Sequence, residues 1–308
     1  MINFAEKISS FSSPLAVGMS GNFRQMKRRI LNIAVFRKET LYQKMRALII
    51  YLVISAVFIG CTPILSIDAS TQSVYHFSDT DKNISLLDIS ETFGTYDGSF
   101  VLYDNNLDSW KIYDLEEATK RIPPESTYKI YDALLGLESG IITPEHSSMT
   151  WNGDAFPFPS WEADQDLNSA MQNSVNWYFQ AIDSQLGINR VQEFLNKIEY
   201  GNQTISSNLD LYWSDFSLKI SPLEQVTLLK KFNTNEFHLN SQNVFSVKNA
   251  IKIASTPNGN FYGKTGTGRV NGQDINGWFI GYVETSDNSY YFATNIQSDS
   301  NATGKKAF

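Results

Sequence analysis

Hydrophobic positions form one long apolar run near the N-terminus, over residues 47–66. The run has roughly the 20 residues that an α-helix needs to cross a bilayer. Lys44 and Arg46 precede it, and the next charge is Asp68. The pattern therefore predicts a transmembrane helix over 47–66. A buried core helix and a lipoprotein cleavage site before Cys61 are alternatives. A cleaved signal peptide is disfavoured, because the 46 residues before the run far exceed the basic region of such a peptide.

The region after this run combines two periodicities, which predict an α+β domain. Polar residues over 67–90 indicate a linker. Beyond it, period-two patterns indicate strands, and apolar positions three and four apart indicate helices. The predicted strands are 99–104, 109–113, 260–266, 277–285 and 290–296, and the predicted helices run from Glu125 towards Gly140 and around 166–186, 188–198 and 221–232. Strands at both ends with helices between them predict a domain over 91–308 whose antiparallel sheet is closed by its two termini.

Charge is distributed unevenly on the two sides of the apolar run. Residues 1–46 hold nine basic and two acidic residues, a net charge of +7, whereas the remainder of the chain carries −14. The positive-inside rule predicts a cytoplasmic segment 1–46, one membrane span and an extracellular C-terminal domain. Cys61 is the only cysteine, so an intrachain disulfide is excluded, which is typical of a bacterial surface protein.

A serine and two lysines form the candidate catalytic group. Ser126 begins a predicted helix, and Lys129 lies one turn later on the same face. Lys264 follows far downstream, in a strand-like Lys-Thr-Gly-Thr-Gly run. None of the three histidines adjoins a nucleophile motif, so a lysine would have to accept the serine's proton, which requires it to be desolvated or chemically modified. Taken alone, the Ser-x-x-Lys pattern is also compatible with an exposed helix start and a solvated lysine.

Four further positions extend this candidate site. Gly266 would let a substrate backbone approach closely, and the backbone N–H of Thr267 would join that of Ser126 as an oxyanion donor. Ser174 and Asn176 stand two apart on a predicted helix, from which they would reach the nucleophile from the side. Each of these positions also has an ordinary structural interpretation, as a strand-end turn or as polar residues of a helix.

Several short motifs occur in a fixed order over 85–308. They are Ser126-Thr127-Tyr128-Lys129, Trp151-Asn152-Gly153, Ser174-Val175-Asn176, Tyr200-Gly201-Asn202, Tyr212-Trp213-Ser214, Lys264-Thr265-Gly266 and Gly277-Trp278-Phe279-Ile280-Gly281. This series resembles the penicillin-recognising serine enzymes, in particular the class D β-lactamases and the β-lactam sensor domains of the BlaR/MecR signal transducers. The resemblance implies the fold of the serine β-lactamases and penicillin-binding proteins.

The resemblance also implies a role for each matching position. Ser126 would be acylated by the lactam carbonyl, and Lys129, carbamylated by carbon dioxide, would be its base. Trp213 would hydrogen-bond the carbamate, and Ser174 would relay a proton to the leaving nitrogen. The substrate carboxylate would be held beside Gly266 by Lys264, Thr265 and Thr267. No metal or separate cofactor is implied. Many class D enzymes add an arginine after the last strand, and 298–306 contains none.

Asn176 separates two functional interpretations, a receptor that stays acylated and an enzyme that turns over. Class D hydrolases usually carry an apolar residue at the position of Asn176, whereas the sensors carry asparagine. A polar side chain there would draw the lysine off its carbamate and remove the base that deacylation needs. We therefore expect a membrane-anchored β-lactam receptor that signals antibiotic presence and induces resistance genes. A class D β-lactamase is the alternative, followed by a structural or peptidoglycan-binding relative.

The N-terminal region supports the sensor interpretation. The segment Asn3–Ala16, the basic run Gln25–Ile30 and the apolar helix 47–65 resemble the last cytoplasmic loop and last membrane span of the transducers. Those proteins carry an upstream zinc-protease motif of the His-Glu-x-x-His type, which this chain lacks, and the family's final helix begins where this chain has Gly304–Phe308. The chain is therefore expected to be a piece of a transducer, or the product of a gene disrupted at both ends, with the final helix missing. The expected partners are β-lactams, the membrane and, in an intact transducer, a zinc-protease segment and a downstream repressor, without direct nucleic-acid binding.

Overall fold

The computed structural model describes residues 73–78 and 82–308. The predicted cytoplasmic segment 1–46 and the predicted transmembrane helix 47–66 lie outside the described residues. Within the described ranges, no helix combines the length and the apolar character that crossing a bilayer requires.

A seven-stranded sheet forms the centre of this described part of the chain. Its strands are β1 (Asn83–Leu86), β2 (Asp97–Asp104), β3 (Ser109–Tyr113), β4 (Lys252–Thr256), β5 (Gly259–Val270), β6 (Gln273–Glu284) and β7 (Ser289–Gln297). Their order across the sheet is β1-β3-β2-β7-β6-β5-β4. Because β2 pairs antiparallel with β7, strands from the two ends of the domain close the sheet, as the sequence predicts.

The edge strand β1 corrects two predictions. Residues 67–90 are predicted as a linker, but Asn83–Leu86 pair with β3, placing Ile84 opposite Trp110. The pairing is parallel, whereas the other neighbouring strands in the described sheet are antiparallel, so the sheet is mixed. The sequence signal fails because β1 lies at the sheet edge: three of its four residues are exposed, and a short exposed strand has no apolar alternation.

Helices cover both faces of the sheet. They are α1 (Ser90–Phe93), α2 (Leu115–Thr119), α3 (Lys129–Glu138), α4 (Leu167–Gln172), α5 (Asn176–Leu186), α6 (Ile188–Ile198), α7 (Pro222–Asn233), α8 (Ser241–Ala250) and α9 (Gly304–Ala307), with single 3₁₀ turns at Glu125–Tyr128 and Pro159–Trp161. Side chains alternate between the two faces of a strand. On β6, Ile280 therefore packs into the main helical core, whereas Phe279 packs into a smaller cluster with residues of α1 and α9.

Most predicted elements are confirmed, with two kinds of exception. Strands β2, β3, β5, β6 and β7 and helices α3, α6 and α7 occur where the sequence predicts them. The helix predicted around 166–186 is instead two helices, α4 and α5, separated at Ser174, whose φ of 55° lies in the left-handed region. Helix α8 and strand β4 are not predicted, because α8 is half polar and β4 is exposed along its length.

Gly201, in the turn after α6, occupies a position that a larger residue would disturb. Its φ is 52°, and an added Cβ would lie 1.9 Å from the carbonyl oxygen of Lys219. Gly187 has a φ of 76° with open space around it. The ψ of Gly187 is 160°, which places it in a backbone region essentially confined to glycine, so we expect Gly187→Ala to cost about 1–3 kcal/mol through conformation alone. Gly201→Ala should cost roughly 2 kcal/mol more through the overlap. Urea unfolding of both variants measures the difference, and equal losses would contradict the steric argument.

Candidate active site

Ser126 lies in the 3₁₀ turn that leads into α3, and that turn is fixed from several sides. The carbonyl oxygen of Pro123 accepts hydrogen bonds from the side chains of Asn276, at 3.0 Å, and Trp278, at 2.9 Å. On the other side, the Thr127 hydroxyl accepts a hydrogen bond from Gln225 of α7 at 2.9 Å. Because these bonds are buried, the backbone around Ser126 is held in place before any ligand arrives.

Lys129 lies one helical turn beyond Ser126 and is 1% exposed. Its Nζ donates hydrogen bonds to the Ser126 Oγ at 2.9 Å and to the Asn176 Oδ1 at 2.7 Å. Burial lowers the pKa of Lys129 to about 7, against the opposing effect of the Asp132 and Glu125 carboxyl groups. A substantial fraction of the lysine is therefore a neutral amine near neutral pH, which is the form that can accept the serine's proton.

Lys264, on β5, is the second lysine of the site. Its Nζ donates hydrogen bonds to the Ser174 Oγ and to the Thr265 carbonyl oxygen, both at 2.9 Å. The break between α4 and α5 allows the Ser174 side chain to face Lys264. In an uninterrupted helix, the helical repeat would have fixed the direction of that side chain. Burial lowers the pKa of Lys264 to about 7, and the nearby Lys129 lowers it further.

Ser126 opens onto a cleft of about 350 Å³. The side chains that line it are Ser126, Phe158, Ser160, Trp161, Asn173, Ser174, Asn176, Thr265, Gly266, Thr267, Arg269 and Asp274. The structure thus brings six of the nine predicted site residues to one cleft. The other three, Lys129, Lys264 and Trp213, lie buried behind its wall.

Trp213 belongs to the layer behind the nucleophile. It is 2% exposed, and its ring centroid lies 5.7 Å from the Lys129 Nζ. Its ring stacks on that of Tyr128, and its carbonyl oxygen accepts a hydrogen bond from the Glu125 N–H at 3.1 Å. Trp213 therefore provides an apolar wall for Lys129 and supports the turn that carries Ser126.

Gly266 brings β5 close to the nucleophile's turn. An added Cβ would meet the Glu125 Cβ at 3.1 Å, and the Pro124 carbonyl oxygen and the Ser126 backbone nitrogen at 3.2 Å each. Thr267, next on the strand, uses its hydroxyl to accept a hydrogen bond from the Gly304 N–H at 2.9 Å. The absence of a side chain at 266 thus allows the two backbones that border the reaction centre to pack together.

Two residues that the sequence analysis does not single out contribute to the site. Glu125, directly before the nucleophile, is buried with a φ of 52°, and burial raises its pKa to about 8. Arg269 of β5 reaches the cleft wall, where its Nε donates to the Asp274 Oδ1 at 2.7 Å. Adjacency to Ser126 is a signal that could have indicated Glu125. Arg269 places a guanidinium at the cleft, although the arginine expected after the last strand is absent.

Two predicted motifs lie away from the cleft. Tyr200, of the Tyr200-Gly201-Asn202 motif, is fully buried, with its ring centroid 5.2 Å from that of Tyr128 and 5.1 Å from that of Tyr131. Trp151 is tied locally, its Nε1 donating to the Asp154 carbonyl oxygen at 2.8 Å. Tyr200 therefore packs against rings of the segment that carries Lys129, whereas Trp151 orders its own loop.

Comparison with known proteins agrees with this geometry. Residues 95–307 match the penicillin binding protein transpeptidase domain. The regulatory protein BlaR1 of Bacillus licheniformis is 43% identical over 96% of this chain and 49% of its own length. The methicillin resistance mecR1 protein of Staphylococcus aureus is 36% identical over 98% of this chain and 51% of its own length. The chain spans about half the length of these two relatives.

Solved structures show the same relationship. The C-terminal domain of the Bacillus licheniformis BlaR penicillin-receptor superposes with a TM-score of 0.71 at 46% identity, covering 74% of this chain and 93% of that domain. The class D β-lactamase BAT-2 superposes with a TM-score of 0.67 at 36% identity, covering 72% of this chain and 91% of that protein. The chain therefore belongs to the penicillin-binding protein transpeptidase domain family. The resemblance to BlaR/MecR proteins drawn from its motifs is confirmed.

Proposed function

We propose that the domain is a β-lactam receptor, acylated at Ser126 and slow to release the acyl group. The observation that carries this proposal is the 2.7 Å hydrogen bond from the Lys129 Nζ to the Asn176 Oδ1. Among the described contacts, Lys129 is the only base within 3 Å of the Ser126 hydroxyl. Its hydrogen bond to Asn176 stabilises the amine and ammonium forms of the lysine.

Acylation follows from the contacts around Ser126. Neutral Lys129 accepts the proton of the Ser126 hydroxyl as Oγ attacks the lactam carbonyl carbon, and the new C–O bond forms as the carbonyl becomes an oxyanion. The backbone N–H groups of Ser126 and Thr267 are the proposed oxyanion donors. Collapse of the oxyanion breaks the lactam C–N bond, and the nitrogen takes the proton of the Ser174 hydroxyl, which Lys264 replaces across their 2.9 Å contact.

Binding of the lactam's carboxylate is assigned to the β5 side of the cleft. Lys264, Thr265 and Thr267 are the proposed partners, and Gly266 leaves space for the ligand beside them. An ammonium and two hydroxyl groups suit a carboxylate, because charge-assisted hydrogen bonds are stronger than neutral ones. Arg269 adds a cationic group on the same wall, which its pairing with Asp274 holds in position.

The acyl group is retained when no base is available to activate a water molecule for its hydrolysis. After acylation Lys129 retains the proton taken from Ser126, and deacylation needs a second acceptor for a proton from water. Asn176 accepts a hydrogen bond from Lys129, which favours the protonated lysine and disfavours a lysine that could serve as that acceptor. The acyl-enzyme therefore persists.

A class D β-lactamase is the second candidate, because the surroundings of Lys129 also suit a carbamate. The Nζ lies 5.6 Å from the ring centroid of Phe179 and 5.7 Å from that of Trp213, an apolar setting in which a neutral amine can take up carbon dioxide. A carbamate on Lys129 would supply a general base for water. The hydrogen bond to Asn176 favours the receptor over this alternative.

The cellular arrangement is proposed from the sequence. The basic segment 1–46 would be cytoplasmic, 47–66 would cross the membrane, and the domain that begins near residue 91 would lie outside, after the segment 67–90. In a complete transducer, acylation would be signalled to a zinc-protease segment and a repressor, and resistance genes would be induced. The basic and apolar N-terminal pattern supports this topology.

The receptor proposal predicts a long-lived covalent label. The full 308-residue chain in membranes is treated with a fluorescent penicillin, and the labelled band is followed over hours after unbound ligand is removed. We expect the label to persist and little antibiotic to be hydrolysed. Replacing Asn176 by valine should speed its loss roughly 10- to 100-fold, since a hydrogen bond to a charged group contributes about 1.5–3 kcal/mol.

Asn173→Val is the matched control for this experiment, because Asn173 also lines the cleft but its amide donates to the Ser169 carbonyl oxygen. Its label should be as stable as that of the wild type. Rapid loss of the wild-type label with destruction of the antibiotic would establish the hydrolase instead. An unchanged release rate in Asn176→Val would overturn the role given to the Lys129–Asn176 hydrogen bond.

A further inference from the structure

Beneath Lys129, helices α3 and α5 enclose two carboxyl groups that the acylation chemistry does not use, those of Asp132 and Asp183. We propose that these two residues share one proton and act as a positioning pair, whose single remaining negative charge sets the protonation state of Lys129. The inference rests on the proposed function, because it explains how the fold controls the base of the acylation site.

The helical repeat places the pair below the cleft. Asp132 follows Lys129 by three positions on α3, and Asp183 follows Asn176 by seven on α5, so each aspartate lies on the face of its helix that carries the site residue. The two helices pack against each other. Lys129 meets Asn176 at the cleft, whereas Asp132 and Asp183 lie in the core, where both are 0% exposed and their carboxyl groups interact electrostatically.

The oxygens of the pair lack donors. In the described part of the chain, none of the four carboxyl oxygens of Asp132 and Asp183 has a hydrogen bond of ordinary geometry. Two ionised carboxylates side by side in the core would be strongly unfavourable through burial and mutual repulsion. One proton removes one charge and supplies the missing donor, since a carboxylic acid can donate to the neighbouring carboxylate.

The electrostatic surroundings favour this state. Burial raises the pKa of both groups, and repulsion from the Asp183 carboxylate raises that of Asp132 further. The titratable groups that face the pair from neighbouring elements are Tyr128, Tyr178, Asp210, Tyr212 and Lys129. Of these, Lys129 favours the ionised form of Asp132, and the Tyr212 hydroxyl favours that of Asp183. These surroundings oppose two negative charges on the pair, and Lys129 and Tyr212 are the groups that favour a single charge.

The position of the charge within the pair matters to Lys129. Asp132 is the strongest of the charges that raise the pKa of Lys129, ahead of Glu125. When the shared proton lies on Asp183, the charge on Asp132 favours the ammonium form of Lys129. When it lies on Asp132, the charge moves to Asp183, and Lys129 becomes a neutral base more readily. The location of one buried proton thus adjusts the availability of the base.

Two single substitutions place the charge at either end of the pair. Asp183→Asn leaves the carboxylate at Asp132, next to Lys129, and Asp132→Asn leaves it at Asp183; the new amide donates to the remaining carboxylate in both. The second-order acylation rate of the full chain with fluorescent penicillin is measured from about pH 5 to pH 9. We expect the midpoint of the acid limb to be roughly one pH unit higher in Asp183→Asn than in Asp132→Asn, with the wild type between them.

A merely structural role would lower stability in both variants without separating their pH midpoints, so coincident midpoints would overturn the proposal. Asp88→Asn, which removes an exposed charge that does not face the pair, is the control and should leave the midpoint unchanged. If either variant fails to fold, ¹³C NMR of the wild-type chain with carboxyl-labelled aspartate provides the second test. An aspartate carboxyl that stays protonated between about pH 5 and pH 7 is expected, and its absence would also overturn the proposal.

These outcomes are distinct from a failure of the proposed function. A wild-type chain that takes up no label would overturn the acylation site itself. A wild-type chain that is labelled, with variants whose pH profiles coincide, would overturn only the proton-sharing pair.

Discussion

Replacing Ser126 by alanine is expected to abolish covalent labelling of the chain by a fluorescent penicillin. The hydroxyl is one of the two cleft-lining groups to which Lys129 donates a described hydrogen bond, at 2.9 Å, and its loss removes the atom that forms the ester. The expected decrease is complete within the detection limit of the gel, because no bond to the ligand can form without a nucleophile. Labelling is measured at several times on membranes that contain equal amounts of each variant.

Ser160→Ala is the matched control, since Ser160 lines the same cleft and has no contact with Lys129 or Lys264 among the described hydrogen bonds. It should be labelled like the wild type. Circular dichroism is expected to show the same fold for both variants, because neither substitution adds volume. Covalent labelling of Ser126→Ala at the wild-type rate would refute the assignment of the nucleophile.

Replacing Lys129 by methionine should slow acylation by roughly 10²- to 10⁴-fold, the usual contribution of a positioned general base. Methionine fills the buried space but cannot accept the proton of Ser126. In the wild type the acylation rate should rise with pH through about 7, as the buried lysine loses its proton, and the variant should lack this limb. Rate measurements with excess penicillin across this pH range test both statements, and wild-type rates in the variant would contradict them.

The same substitution has a predictable effect on stability. The folded state lowers the pKa of Lys129 to about 7 from an ordinary value of 10.5, so between these pH values the unfolded chain binds the additional proton. The contribution of Lys129 therefore makes the wild type more stable as pH rises across this range, and Lys129→Met removes that contribution. Urea unfolding at two pH values distinguishes this effect from loss of activity through misfolding. Lys252→Met, at an exposed position, is the control.

Periodicity predicts the elements whose burial is regular. Strand β7 and helix α6 are found from the sequence because their apolar residues repeat with the period of the element, whereas β6 is found as a continuous buried run. The edge strand β1 and helix α8 are missed, because exposure or mixed polarity hides the repeat. The break at Ser174 is missed for a different reason: contacts between distant parts of the chain, including the bond to Lys264, select its conformation.

The candidate site is predicted as far as motifs identify side chains. Ser126 and Ser174 come from separate parts of the sequence and meet at one cleft, and Lys264 contacts Ser174 from behind its wall. Spacing alone does not reveal Glu125 or the Asp132–Asp183 pair, because their properties arise from burial against helices and strands far away in the sequence. Residue type is a local property, whereas the protonation state of a buried group depends on the packed fold.

Gly266 lies where β5 closely approaches the turn that carries the nucleophile. A side chain at this position would affect both the packing of the two backbones and the space in the cleft. A methyl group there would crowd Glu125 and the backbone of Pro124 and Ser126 even without an antibiotic in the cleft. An alanine there would require the neighbouring atoms to shift by a few tenths of an ångström, so the effect of the substitution would include packing as well as ligand binding. A comparison of variants by ligand binding alone would attribute to recognition what the backbone already requires.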